Sequence, residues 1–537
     1  MTHRQVLEAL SGLLMGMFVA ILAGTVVSTS LPRIISDLKG DQAAFTWVVT
    51  ATLLATTVST PIWGKFSDLF SRKLLVQLSL VIFVLGSALA GFSQDTGTLI
   101  VFRVLQGLGA GGLTSLVQVI LSDIISPRER GRYMGFLGAV MAVGTAGGPL
   151  LGGLITDSIG WRWNFYVAIP FAIAAIILIQ RTLHLPVKRR KVSIDYLGLG
   201  LIASGVSLLL IWVTLAGNQF EWGSVTSILM ILGAVLLLLA AVFVELKVKE
   251  PILPIRLFLN RTFTLVVVAS LSVGVALFGT SVFLSQYMQL SRGKTPTEAG
   301  LLTLPLVIGL LISSTIFGAV ISRTGKWKRW MVLGASLLTV GLALMSTISY
   351  TTPFGWLFLF MAIMGLGLGM VMQNLVLVVQ NSVDVRQIGA ASSSVAFFRS
   401  LGGTIGVSVL GAALGSRVTS IVTDGLKTMG VPASQTGGLG SGTIPNLAEL
   451  PAPLRTLVEN AYGQGVGEIF LIAAPLALIS LIAIIFLPNA ELGRKTGIEQ
   501  LAETVVDVTS EEIGATPTGS IPTVAETDAA ADRIGRK

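Results

Sequence analysis

Residues 64–73 read Gly64-Lys65-Phe66-Ser67-Asp68-Leu69-Phe70-Ser71-Arg72-Lys73 and lie between two apolar runs, roughly 45–63 and 74–93. Each run is about as long as the 20 residues a helix needs to cross a bilayer. A short charged joint between two such runs is a hairpin that turns at a membrane surface. Gly64 permits close helix packing, and Asp68 can accept from a helix N-terminus or pair with a base. Arg72 and Lys73 hold the turn at the aqueous face.

The same grammar runs along the chain. Fourteen apolar segments are read at about 9–32, 45–63, 74–93, 97–121, 134–156, 164–183, 197–217, 223–245, 262–289, 298–321, 330–350, 355–381, 389–414 and 463–487. Of the 537 residues, 53% are hydrophobic and only 12% charged, half the share of about 25% found in soluble domains. That balance excludes an ordinary soluble domain, a disordered chain and a nucleic-acid-binding module. The fold class expected is an all-α polytopic membrane protein, and the first segment is too long for a cleavable signal peptide.

Charge orients it. The net charge of +9 is a topology signal here, because basic residues mark cytoplasmic loops. With the N-terminus inside, 26 of the 36 Lys and Arg fall in cytoplasmic segments and 8 in external ones. The other two, Arg103 and Arg399, lie inside spans. Both termini are therefore expected in the cytoplasm. Lys188–Lys191 precedes an extra helical pair, which leaves six spans before it and six after. The expected division is a six-helix bundle over 1–183, a linker with two extra spans over 184–262, a second bundle over 263–488, and a disordered cytoplasmic tail over 489–537. Residues 415–462 read as one long external connection, with a short helix after Pro451.

Composition also limits the chemistry. There is no cysteine, and the only histidines are His3 and His184, so no disulfide, thiol nucleophile or metal site is expected. H-E-x-x-H cannot be built, and G-x-S-x-G is absent. Neither an intramembrane enzyme nor a resident cofactor is expected.

With the spans in place, the loop 64–73 resembles the G-x-x-x-D-x-x-G-R-[KR] signature of the major facilitator superfamily, Ser71 standing for the second glycine. Arg103-Val104-Leu105-Gln106-Gly107-Leu108-Gly109 resembles its R-x-x-Q-G-x-G run, and Asp123 followed by Pro127-Arg128-Glu129-Arg130-Gly131-Arg132 its next loop. Gly144-Thr145-Ala146-Gly147-Gly148-Pro149-Leu150-Leu151-Gly152-Gly153 is similar to the antiporter signature G-x-x-x-G-P-x-x-G-G at every fixed position. Glycines spaced by four let a neighbouring helix come close, and Pro149 removes a backbone hydrogen bond. Trp161–Phe165, Asp195–Gly198, Thr295–Pro305 and Gly389–Gly403 resemble further runs of the 14-helix drug:proton antiporter branch.

The resemblance implies a 6+2+6 major facilitator fold and proton-driven export of hydrophobic or amphiphilic compounds across a bacterial cytoplasmic membrane. It implies a switch built from Gly64, Asp68, Arg72, Lys73 and Asp123, with Asp123 paired to Arg72. It also assigns Arg103 to proton coupling. Insertion of an arginine near the bilayer centre costs at least about 2.5–3.5 kcal/mol, so Arg103 should face a cavity or a partner.

One departure matters. The branch carries an acid in helix 1 where this chain has Ala23, and a tyrosine in helix 2 where it has Thr52. Glu468, one or two turns inside the last span, is the best embedded replacement, ahead of Glu298 and Glu245. The substrate cavity is expected between the halves, near Gln286, Tyr287, Gln289, Gln373, Asn374 and Arg399, whose amides would suit amphiphiles. The expected partners are a small amphiphilic molecule, protons and the lipid bilayer, with no nucleic acid, for a monomer. The alternative is export of a lipid, peptide or metabolite without strict proton coupling. A channel fits the latch and Pro149 less well.

Overall fold

The computed structural model describes residues 3–38, 42–125, 127–183, 195–216, 220–248, 251, 255–384, 387–430, 450–490 and 492. The first half contains α1 (His3–Asp37), α2 (Gln42–Leu69), α3 (Arg72–Gly91), α4 (Thr96–Ile124), α5 (Pro127–Ser158), α6 (Trp163–Tyr166) and α7 (Ala168–Thr182). An added pair follows, α8 (Tyr196–Leu215) and α9 (Val225–Lys247). The second half contains α10 (Arg261–Gln286), α11 (Pro296–Leu302), α12 (Leu304–Thr324), α13 (Lys328–Met345), α14 (Phe354–Gln380), α15 (Ile388–Thr428) and α16 (Ala452–Ile485). Loop residues start several of these helices. Asp95, Asp195, Ser224 and Asn260 accept from backbone N–H groups of the first turn. Thr295 and Glu298 form a reciprocal capping box.

Among the described residues, thirteen helices are long and apolar enough to cross a membrane, and α2 is not one of them. It is studded with threonine and serine, and their hydroxyls are satisfied by carbonyls. Thr56 donates to Thr52 O at 2.8 Å and Thr60 to Thr56 O at 2.7 Å. Across the helix pair, Thr56 reaches Gly107 O at 3.2 Å and the Trp63 indole reaches Leu108 O at 2.9 Å. A polar helix is tolerated at membrane depth when its groups are paired within protein.

Lipid gives helices no hydrophobic reason to associate, so close contact decides the packing. On α4, Gly107 and Gly111 face Thr52, Ala55, Thr56 and Ser59 of α2. Gly109 and Gly112 face Ser79 and Phe83 of α3. The second half repeats the device. On α14, Gly365 and Gly369 face Leu306 and Leu310 of α12, while Gly367 faces Gly334 and Leu338 of α13. The correspondence extends to α5 and α15. Gly144, Gly148 and Gly152 face α1, and Gly402 and Gly406 face Leu271 and Val275 of α10. The two halves are thus built on one plan.

The added pair sits against the seam. Ile202, Val206 and Leu210 of α8 pack with Val58 of α2 and Phe397 of α15. α9 covers α8, joined by Trp212 to Ser227 at 2.8 Å.

The long connection is shorter than the apolar pattern suggests. Helix α15 runs to Thr428 and α16 starts at Ala452, so 415–428 and 452–462 are helical. Val418, Val422 and Leu426 recur every four residues and pack with Val458, Ala461 and Tyr462. A one-sided stripe suffices to pair two helical segments, and a count of apolar residues overlooks it. The expected span 298–321 is split into α11 and α12 at Thr303. The 184–194 loop with Lys188–Lys191, the Gln435–Asn446 stretch and the tail beyond 492 lie outside the described residues.

A Cβ added at Gly109 would lie 2.5 Å from the Phe83 backbone nitrogen, whereas one at Gly200 would meet nothing within 4 Å. Gly109→Val should lower stability by about 1–3 kcal/mol through overpacking, and Gly200→Ala by less than about 0.5 kcal/mol. Thermal unfolding of the two detergent-solubilised variants checks the difference; equal midpoints would contradict the packing described.

Candidate functional site

Helix α5 carries the glycine-rich run and lies between the halves. Its Gly144–Gly148–Gly152 face fits α1: Cβ positions there would strike Ile21, Thr25 and Val26. The Thr25 hydroxyl donates to Gly144 O at 3.1 Å and Ser30 to Gly152 O at 3.1 Å. Buried Asn164 ties the ends together, donating to Ser30 Oγ at 2.7 Å and Thr156 Oγ1 at 2.8 Å. Interhelical bonds of this kind contribute about 0.6 kcal/mol each in membranes. The other face meets the second half. Gly138 abuts Ser314 of α12 and Gly153 abuts Thr297 of α11. The Pro149 side chain lies outside those described.

The two halves also meet at the face that bears the α2–α3 turn, here called the basic face. Gly64 of α2 sits flush against Ser393 of α15, with Ser115 of α4 behind it. Gln380 at the end of α14 donates to Ser392 Oγ at 2.8 Å and to Gln118 O of α4 at 3.4 Å. Lys65, Ser67, Ser115, Gln118, Gln380, Ser392 and Ser393 are all buried, so this face is closed.

Arg72 forms an ion pair with Asp123 and donates from Nε to Ser67 O at 3.1 Å. The pairing the sequence suggested is therefore present. It fixes the α2–α3 turn to α4 and so presents Gly64 to Ser393. The Arg72 side chain is 22% exposed, and such a pair contributes about 1 kcal/mol or less after solvent screening. That is enough to bias a conformational equilibrium and too little to lock one. Lys73 donates to Gln180 O of α7 at 2.8 Å. The side chains of Asp68 and of Arg128–Arg132 lie outside those described.

Between α5 and the second half lies a cavity of about 40 Å³ lined by Met141, Thr145, Ala276, Thr280, Ser281, Leu306, Leu310, Met364 and Leu368, among others. It has room for only two or three waters, far below the roughly 300–1,000 Å³ of a drug-sized site. Among the described residues, none that lines it is ionisable.

Arg103 is 3% exposed. Its Nη1 donates to Gln106 Oε1 at 2.5 Å, and Gln106 Nε2 donates to Ser87 Oγ of α3 at 2.6 Å. Among the described residues its Nε has no hydrogen-bond partner and no carboxylate pairs with it. Arg399 is also buried, with one donation, to Met372 O at 3.4 Å. Ala23 is fully buried in the first half's core.

The remaining residues singled out in the sequence are dispersed. Glu468 pairs with Arg417 at 2.8 Å, both about half exposed, and its neighbour Gly467 abuts the α13–α14 turn at the face opposite the basic one. Tyr287 is buried and donates to Ser349 O at 2.7 Å, within a π-helical turn, Tyr287–Ser291. Gln289 donates to Ser285 Oγ at 3.0 Å. Asn374 donates to Met370 O at 2.6 Å, and its Oδ1, like Gln286 Oε1, has no partner among the described residues. The Gln373 side chain lies outside those described. The sequence reading passed over Gln380 and Gln118, although an amide near each helix end, in otherwise apolar runs, was a signal. The apolar cavity gave none, since its residues differ little from any lipid-facing set.

The comparisons agree with this geometry. Residues 13–407 match the family model of the Major Facilitator Superfamily. An uncharacterized MFS-type transporter of Mycobacterium tuberculosis is 36% identical over 486 residues, 90% of this chain and 69% of the relative. In Bacillus subtilis, Multidrug transporter protein MdtP is 35% identical, over 78% of this chain and 77% of the relative. Multidrug resistance protein 3, also from Bacillus subtilis, is 30% identical over 90% and 95%. The proton:xylose symporter XylE aligns with a TM-score of 0.58 at 14% identity, over 94% of this chain and 100% of that one, a likeness of fold alone.

The absence of cysteine makes labelling clean. A Ser393→Cys reporter should react slowly from the basic face. Adding Asp123→Asn should speed labelling about fivefold, the effect of roughly 1 kcal/mol. Unchanged labelling would remove the pair from control of this gate.

Proposed function

The chain belongs to the major facilitator superfamily, and from that premise we propose that it exports hydrophobic or amphiphilic small molecules by alternating access, driven by proton antiport. It is an integral, multi-pass transporter and not an enzyme. We place it in the bacterial cytoplasmic membrane as a monomer, 6+2+6 in plan, with the basic face and both termini inside.

The observation that carries the reading is the placement of α5. One glycine face grips α1 and the opposite face meets α11 and α12 across the cavity. A helix packed closely on both sides transmits movement of one half to the other. Separation of Gly64 from Ser393 and of Gly138 from Ser314 would open the basic face and widen the cavity. Arg72 and Asp123 would bias that step, with Asp68 and Lys73 at the same turn. The names of the relatives, multidrug transporters among them, support export as its direction.

For coupling we retain Arg103 and Glu468 as the candidates. Arg103 is a buried charge that could stabilise a nearby anion in one state. Glu468, paired with Arg417, would act at the outer ends of α15 and α16. Gln286, Gln289, Gln373, Asn374 and Arg399 would line the opened site on the second-half side. The second reading, export of a lipid, peptide or metabolite without strict proton coupling, is favoured by Ala23 and by the lack of a carboxylate at Arg103 among the described residues.

Purified protein in liposomes with a pH gradient and a trapped pH dye tests the choice. Substrate-dependent collapse of the gradient, lost in Arg103→Ala, is the result expected of antiport. Substrate movement with an intact gradient would replace antiport by the second reading. Loss of flux in Glu468→Gln would put that carboxyl in the coupling path, and full flux would remove it.

A further inference from the structure

We propose that the cavity between α5 and the second half is the closed remnant of a binding site for uncharged lipophilic molecules, and that it discriminates against lipophilic cations. The inference rests on the exporter reading for transport and on the cavity alone for binding.

The lining carries the argument. Met141 and Thr145 come from α5, Thr280 and Ser281 from α10, Leu310 from α12 and Met364 from α14. Two thioethers give polarisable, adaptable surfaces that suit flat or aromatic solutes of varied shape. Two of the three hydroxyls are occupied by close neighbours: Thr280 lies 3.6 Å from Met364 Sδ, and Ser281 donates to its own helix at Leu277 O, 2.9 Å away. Little hydrogen-bonding capacity is left over, and a polar solute would lose more water contacts than it regained.

The charges point the same way. A desolvated cation needs a carboxylate or an aromatic face. Among the described residues, no acid or aromatic ring lines the cavity. Helix α1 supplies Ala23, itself in the core, where an acid could have stood. The two buried charges inside the spans of the halves at hand, Arg103 and Arg399, are both positive, and neither has a carboxylate partner among the described residues. A cation entering the cavity would meet no carboxylate among the described residues that line it.

The test uses the full chain in nanodiscs with three probes of similar bulk: tritiated triphenylphosphine oxide, tetraphenylphosphonium and tetraphenylborate. Saturable binding of the neutral probe is expected, at least tenfold tighter than the cation. Thr145→Asp should narrow or reverse that ratio by supplying the missing carboxylate. Ser281→Asp makes the same test from α10 if the first variant does not fold. Cation binding as tight as neutral in the unmodified protein would overturn the proposal. So would tetraphenylborate binding that exceeds the neutral probe and is lost in Arg103→Gln, because charge would then be the feature recognised. Everted vesicles separate this claim from the exporter reading. Specific binding without transport supports the site and sinks export, whereas transport of the neutral probe without saturable binding sinks the site.

Discussion

The structure depends on how closely α5 approaches its neighbours. In lipid, helices gain nothing by hiding apolar surface from other apolar surface, so contact distance and a few hydrogen bonds decide which helices associate. Gly144, Gly148 and Gly152 remove the side chains that would hold α1 away, and Thr25 and Ser30 then reach carbonyls of α5. Gly138 and Gly153 do the same toward α12 and α11. One helix is thereby fixed to its own half and pressed against the other. The cavity lies beside it because Thr145 and Met141 occupy the turns between those contacts.

The same device recurs in each half. The central helices α4 and α14 turn alternate glycines to two neighbours apiece, and α15 mirrors α5 in facing the first helix of its half. The seams between the halves then fall at α5 with α12 and at α2 with α15. The added helix α8 covers the second seam through Val206 and Leu210, touching both halves at once. Any opening at the basic face must therefore move α8 relative to α2 or to α15. The extra pair is tied to both halves by contact.

Charge is distributed by the cost of burying it. The Arg72–Asp123 pair stands at the edge, where water screens it and its contribution is small enough to be reversible. Arg103 lies deep, with an amide as its partner in place of an acid. A buried cation so held is costly, and it persists in folded chains where a cavity or a moving partner uses it. The contrast separates a screened ion pair at the edge from a buried arginine held by an amide.

The sequence alone determined the class of fold. Hydropathy forces helices, because in lipid every backbone group must bond within its own segment. The glycine-rich runs and the loop 64–73 identified the family plan and the pairing of Arg72 with Asp123 without any coordinates. Tertiary structure decided what those patterns could not encode. Which glycine faces which helix depends on rotation about each axis. Glu468 reads as a lone acid in the last span, and only the fold brings Arg417 of α15 beside it. Gln380 and Gln118 meet only because two helices far apart in the chain end at the same face. The cavity itself is a space between five helices, and its residues become a set only when the halves close around it.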